Sequence, residues 1–150
     1  MIIAIGSDHG GFELKEQLVK YLENKGHTCV NVGCYSSDSI NYAPIAEKVS
    51  RKVASGECET GILVCGTGIG MSLAANKIKG IRAACCSDYF SAKYTRLHND
   101  ANVLCMGARV VGYGLACELC DVFLATEFEG GRHQARIDEI ARLENGESLL

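Results

Sequence analysis

At 150 residues, with 47% hydrophobic and 22% charged content, the chain is long enough for one hydrophobic core and too short for two ordinary domains. A formal net charge of -3, with lysines and arginines scattered along the sequence, offers no basic stripe of the kind a nucleic-acid groove needs. No apolar run approaches a membrane span, and "MIIAIGSDHGG" lacks both the length and the positive flank of a secretory signal, so no membrane partner and a cytoplasmic location are expected.

In chain order, the first strand is predicted over 2–5 ("IIAI"), followed by Ser7-Asp8-His9-Gly10-Gly11 and a helix from near Gly11 that carries Leu14, Leu18 and Leu22 on one face. A second strand over 28–32 precedes a helix with Tyr42, Ala46, Val49 and Val53 in register, which also holds the only proline, Pro44. The third strand, "GILVC" at 61–65, runs into Gly66, Gly68 and Gly70 and a helix from near Met71. The fourth, 81–86, leads through Ser87-Asp88 into a helix that closes at His98-Asn99-Asp100. The fifth, 102–106, leads through Gly107-Ala108-Arg109 into a helix with Leu115, Leu119 and Val122 in register. A last helix is expected from about His133 to Leu143, after the breaker "EGG".

Strands that are apolar throughout, alternating with helices, argue for one α/β domain: a five-stranded parallel sheet with helices on both faces, an α/β/α sandwich. Nine cysteines form an odd count, and Cys29, Cys85 and Cys105 fall in runs that read as buried strands, so a reducing compartment fits better than a disulfide framework. Cys117 and Cys120 spell CxxC in mid-helix without a second ligand pair, which reads as core packing in preference to zinc or redox chemistry.

In open parallel sheets ligands bind beyond the carboxyl ends of the strands, and those ends are chemically loaded here. Gly66, Gly68 and Gly70 permit a sharp turn in which several N–H groups converge on one spot. Met71 stands where a dinucleotide loop has its last glycine, and no Gly-Lys-Ser/Thr follows as in a Walker loop; the plain alternative is a tight strand-to-helix connection. Cys65 would gain thiolate character at a helix N-terminus, or else is one more buried cysteine. A phosphocysteine mechanism is disfavoured, since Met71 occupies the place of the arginine it needs. Asp8 reads as an N-cap, His9 as a group at the ligand edge, and Asn99 as a left-handed helix cap beside His98. Arg132, His133 and Arg136 crowd positive charge into the first turns of a helix, against its dipole, which points to a bound anion or to a solvated basic face. Arg132 and Arg136 share a face, and Arg109 could join them as a phosphate clamp.

Six motifs in order, "DHGG" at 8–11, "CGTGIGMSLAANK" at 65–77, "GIRAA" at 80–84, "HNDAN" at 98–102, "GARVVG" at 107–112 and "EGGRHQARI" at 129–137, together resemble the sugar-phosphate isomerase family. That family includes type B ribose-5-phosphate isomerases and galactose-6-phosphate isomerase subunits. The resemblance covers nearly the whole chain. It implies a Rossmann-like sandwich that works as a homodimer or a pair of dimers, with active sites at the subunit interface and no metal or organic cofactor. It implies Cys65 as the base that moves a proton between C1 and C2, Thr67 as its assisting hydroxyl, and the Gly66–Gly70 loop, with Gly68 and Ile69, as the enediolate cradle. It further implies His98 for ring opening, Asp8, His9 and Asn99 as substrate contacts, and Arg109, Arg132 and Arg136 at the phosphate. Cys65 together with Met71 looks like the cysteine branch, not the branch that uses a glutamate after the loop; Ser7 before Asp8 is a small departure. The expected reaction is ribose 5-phosphate to ribulose 5-phosphate. Isomerisation of galactose or allose 6-phosphate is the alternative within the class, and a non-catalytic nucleotide- or anion-binding module is the alternative outside it.

Overall fold

The computed structural model describes residues 1–150 as one α/β domain. Its strands are β1 (Ile2–Ser7), β2 (Thr28–Asn31), β3 (Thr60–Cys65), β4 (Ala83–Cys85) and β5 (Val103–Gly107). The helices are α1 (Phe12–Asn24), α2 (Tyr42–Ala54), α3 (Ile69–Ala75), α4 (Tyr89–Asn99), α5 (Tyr113–Ala125) and α6 (Arg132–Glu144), and a single 3-10 turn, His9–Gly11, precedes α1.

All five strands are parallel, in the order β2-β1-β3-β5-β4. One cluster of buried side chains packs α1 and α5 on one face through Leu14, Leu18, Leu22, Leu119 and Phe123. The other packs α2 and α3 through Ile45, Val49, Val53 and Met71. Each fully buried leucine or isoleucine contributes about 1.5–3 kcal/mol relative to exposure, which is why the central strand β3 is buried along its whole length. From β1 the chain steps outward to β2 and then returns across β1 to β3. The crevice between the carboxyl ends of β1 and β3 is therefore the switch point at which open sheets bind ligands.

Several expectations shift. The strand expected over 81–86 shortens to Ala83–Cys85, because it lies at the sheet edge and pairs with β5 alone. For the same reason Cys85 is exposed, and Cys29, on the opposite edge strand, is only half-buried; of the three cysteines expected in buried strands only Cys105 is fully enclosed. The left-handed residue after α4 is Asp100 (φ 45), not Asn99, which remains the last helical residue. Helix α3 starts at Ile69, two residues earlier than expected, because Gly68 takes the positive φ of 80 that ends the loop.

Candidate active site

The carboxyl ends of β1 and β3 place Asp8, His9, Cys65 and the glycine loop side by side. The Asp8 N–H donates to the Val64 carbonyl at 3.2 Å, and the Asp8 carboxylate accepts the N–H groups of Gly10 at 2.9 Å and Gly11 at 3.2 Å, so Asp8 caps the 3-10 turn that leads into α1, while the N-cap of α1 itself is Gly11. His9 Nδ1 accepts the Ile40 N–H at 3.3 Å, which places the proton of the neutral ring on Nε2. Cys65 is 4% exposed, and its Sγ accepts the Gly68 N–H at 3.0 Å. A main-chain donor is thus aimed directly at the sulfur.

The N–H groups of Gly66, Thr67, Gly70 and Met71 donate to no other group of the protein. Unpaired main-chain donors in one short loop are the means by which a protein can hold an anion. Gly68 carries the turn: a Cβ there would stand 2.8 Å from both the Cys85 Sγ and the Met106 carbonyl carbon, and the φ of 80 disfavours any other residue. The Thr67 hydroxyl accepts the Ile69 N–H at 3.3 Å, while Ile69 itself is exposed. The loop after β5 closes the rim: the Ala108 and Arg109 N–H groups donate to the Cys65 and Gly66 carbonyls, and the Arg109 guanidinium lies alongside Gly66.

Tyr42 is a lining residue that the sequence pattern hid. Its spacing with Ala46, Val49 and Val53 reads as core, yet it is 43% exposed and its ring lies against Gly70, at the mouth of the loop. No periodicity reports this, because residues 35–41 decide where α2 begins.

A second cluster forms elsewhere. His98 stacks face to face on His133, with ring centroids 4.1 Å apart, and both Nε2 atoms lie 3.6 Å from Glu129 Oε2. The Glu129 N–H donates to the Leu97 carbonyl, which ties the α5–α6 connection to the end of α4. Arg136 Nη1 is 3.3 Å from His133 Nδ1; since a guanidinium only donates, Nδ1 accepts, and the ring proton lies on Nε2. Burial pushes His133 below the usual histidine range, and the charges of His98, Arg132 and Arg136 push it further while Glu129 opposes them. Ligand atoms of His98, Glu129 and His133 fall within 4.8 Å of one another. Two arginines beside them make the cluster better suited to an anion than to a metal ion.

The chain does not bring these two clusters together. Helix α4 leaves the carboxyl end of β4 and runs back along its 11 residues, roughly 16 Å, to the edge where the strands begin. There Asn102 receives the Thr60 hydroxyl at the start of β3, and Arg82, just before β4, donates to the Asn99 and Asp100 carbonyls. Asp8, His9, Cys65, Thr67 and Arg109 thus stand at one edge of the sheet, with His98, Asn99, Arg132 and Arg136 at the other. Arg109 is separated from the two arginines it was expected to join.

Several other cysteines are held as thiols by burial. Burial pushes Cys86 up to about 12 and Cys29 to about 11, and raises Cys105 and Cys120 as well. Cys117 and Cys120 are buried within α5, which suits packing and not a redox pair. No helix is long and apolar enough to cross a membrane.

Residues 3–140 match the family model described as Ribose/Galactose Isomerase. The chain belongs to the ribose/galactose isomerase family. It is 48% identical over 142 residues to ribose-5-phosphate isomerase B of Escherichia coli, covering 95% of each chain. The ribose-5-phosphate isomerase B of Clostridium thermocellum superposes with a TM-score of 0.96 at 46% identity, covering 97% of this chain and 99% of that one. The Mycoplasma genitalium ribose-5-phosphate isomerase B, solved with bound ribulose 5-phosphate, gives 0.92 at 41% identity, covering 96% of each. In this ribose/galactose isomerase the residues that the resemblance singled out fall at two opposite edges of the sheet.

Proposed function

We propose that the protein interconverts D-ribose 5-phosphate and D-ribulose 5-phosphate through an enediolate, as a cytoplasmic homodimer, with Cys65 as the base. The observation that carries this reading is Cys65 Sγ beside the Gly68 N–H, within a loop whose remaining main-chain donors are unpaired. Moving hydrogen from C2 of an aldose to C1 needs a base at those carbons and donors for the oxygen that becomes anionic. Sulfur takes the C2 proton and returns it to C1, while the hydrogen on O2 passes to O1; the Thr67 hydroxyl is positioned to assist that exchange. The unpaired N–H groups of Gly66, Thr67 and Gly70 hold the enediolate charge, and the loop orients them before the substrate arrives.

The furanose form must open first. A histidine that protonates the ring oxygen, and arginines that hold the phosphate, complete the site; His98, Asn99, Arg132 and Arg136 supply these, with Asp8, His9 and Arg109 on the near side. One chain keeps the two sets at opposite edges, so a second copy, related by a twofold axis, is needed to unite them. Exposed apolar side chains support such an assembly: Ile69 and Leu73 on α3, Phe90 on α4, and Ile140 and Leu143 on α6. In the dimer each site takes its cysteine loop from one subunit and its histidine from the other.

A panel of aldose phosphates compared by kcat/KM tests the reading. Ribose 5-phosphate should exceed galactose 6-phosphate and allose 6-phosphate by at least about tenfold, the discrimination that one extra hydroxymethyl group allows. A hexose phosphate that wins would move the assignment within the family, and turnover of none would leave only an anion-binding protein.

A further inference from the structure

Lys15, in the first turns of α1, is the one lysine or arginine that the fold buries, at 0% exposure, and no step of the reaction uses it. Removing an ammonium from water costs several kcal/mol unless partners replace the lost solvent, whereas a methionine of similar length would fill the same space with no such penalty. The partners are specific. Nζ donates to the Glu16 carboxylate, to Asn31 Oδ1 at 3.1 Å and to the Cys34 carbonyl at 2.8 Å, and it faces the rings of Phe12 at 5.2 Å and Tyr35 at 5.7 Å. Three of these five belong to residues 31–35, where the chain leaves β2. Asn31 Oδ1 also receives the Gly33 N–H, and main-chain bonds from Ser7 hold Gly33 and Cys34 on their other side.

Beyond that anchor the chain has little to hold it. Between Tyr35 and Ser39 the side-chain bonds are local, Tyr35 to Asn31, the Cys34 thiol to the Ser36 carbonyl at 3.2 Å and Ser36 to Asp38, and no main-chain hydrogen bond ties the segment to the body of the protein. Yet its far end delivers two groups to the crevice. The Ile40 N–H donates to His9 Nδ1, and Tyr42 lies against Gly70. The side chain of Ile40 packs against the α2–α3 core cluster, and the Lys15 anchor at residues 31–35 fixes the other end of the segment, so the placement of that donor depends on both.

We infer that Lys15 is a positioning residue for the sugar-phosphate site: its buried ammonium clamps residues 31–35, so that the Ile40 N–H holds His9 with its proton on Nε2, toward the crevice. This rests on the proposed role of His9 as a substrate contact, and the test separates the two. In Lys15→Met the imidazole 15N resonances of His9, assigned among the four histidines by their loss in His9→Asn, should move from one fixed tautomer toward the mixture of a free ring. KM for ribose 5-phosphate should rise roughly fivefold, the weight of one hydrogen bond, with kcat little changed. In the His9→Asn background, Lys15→Met should raise KM no further. An unchanged His9 spectrum overturns the inference whatever turnover does, and so does a KM effect that persists without His9. A changed spectrum with unaltered KM supports the clamp and removes His9 from substrate binding. Should Lys15→Met fail to fold, Asn31→Ala, which takes away one acceptor of the same anchor, is read by the same measurements.

Discussion

The two halves of the proposed site are built by different means. At the carboxyl edge of the sheet the working groups are main-chain N–H groups and one sulfur, placed by the register of β1, β3 and β5. At the opposite edge they are long side chains on α4 and α6, held by a ring stack, by Glu129 and by Arg136. Main-chain donors in a loop fixed between buried strands lose little freedom when they meet an anion. Arginines and a part-exposed histidine must be ordered as well as paired, so their net contribution is smaller. In the proposed reaction the first half meets the reacting carbons, where charge develops along the reaction path, and the second meets the parts of the substrate that are charged or cyclic from the start.

The most direct way to break this division is to inactivate each half in separate chains. Cys65→Ala and His98→Asn should each lower turnover of ribose 5-phosphate by on the order of 10²–10⁴-fold. When the two variants are unfolded together and refolded, half the dimers carry one intact site of two, and roughly a quarter of the normal activity should return. No recovery would mean that the two edges do not meet across a dimer. Next in size, Gly68→Ala should reduce kcat by about 10²-fold with KM nearly constant, since it displaces the donor at Cys65 Sγ; a fall in binding alone would place the loop at the phosphate instead. Arg136→Ala should do the reverse, raising KM about tenfold or more at near-constant kcat, and an unchanged KM removes it from the phosphate end.

The smallest effect concerns protons. The folded protein holds His133 below its ordinary value of 6.5, so the unfolded chain takes up that proton more readily. Its contribution to stability is therefore complete above about pH 6.5 and is lost as pH falls from there toward the lower folded value. Melting temperatures at pH 7.5 and 5.5 should differ less in His133→Asn than in the unaltered protein. Equal differences would show that burial does not hold His133 below its ordinary value.

Much of the near edge was legible residue by residue. Asp8 caps as its type and position predict, Cys65 ends β3, and the alternate glycines turn the chain where a helix must start. The left-handed cap escaped by one position because Asn99 and Asp100 both suit it; Arg96, one turn back on α4, and Arg82, from outside the local sequence, both grip the Asp100 carboxylate and settle the choice. Cys85 was misread because an apolar run looks the same in a central strand as at an edge. Tyr42 and Lys15 were invisible for the opposite reason: a loop without periodicity leads into Tyr42, which lies against Gly70, and brings the Cys34 carbonyl to Lys15.

By itself the sequence determined the alternation of strand and helix, the parallel sheet and the chemistry waiting at each strand end, because these depend on side-chain period, turn residues and handed crossovers within about thirty residues. Only the tertiary structure decided that β4 is an edge, that His98 and Cys65 face opposite ways in one chain, and that a buried lysine holds the loop beside His9. Strand order, burial and the reach of a helix are properties of the packed whole, and no local stretch of residues encodes them.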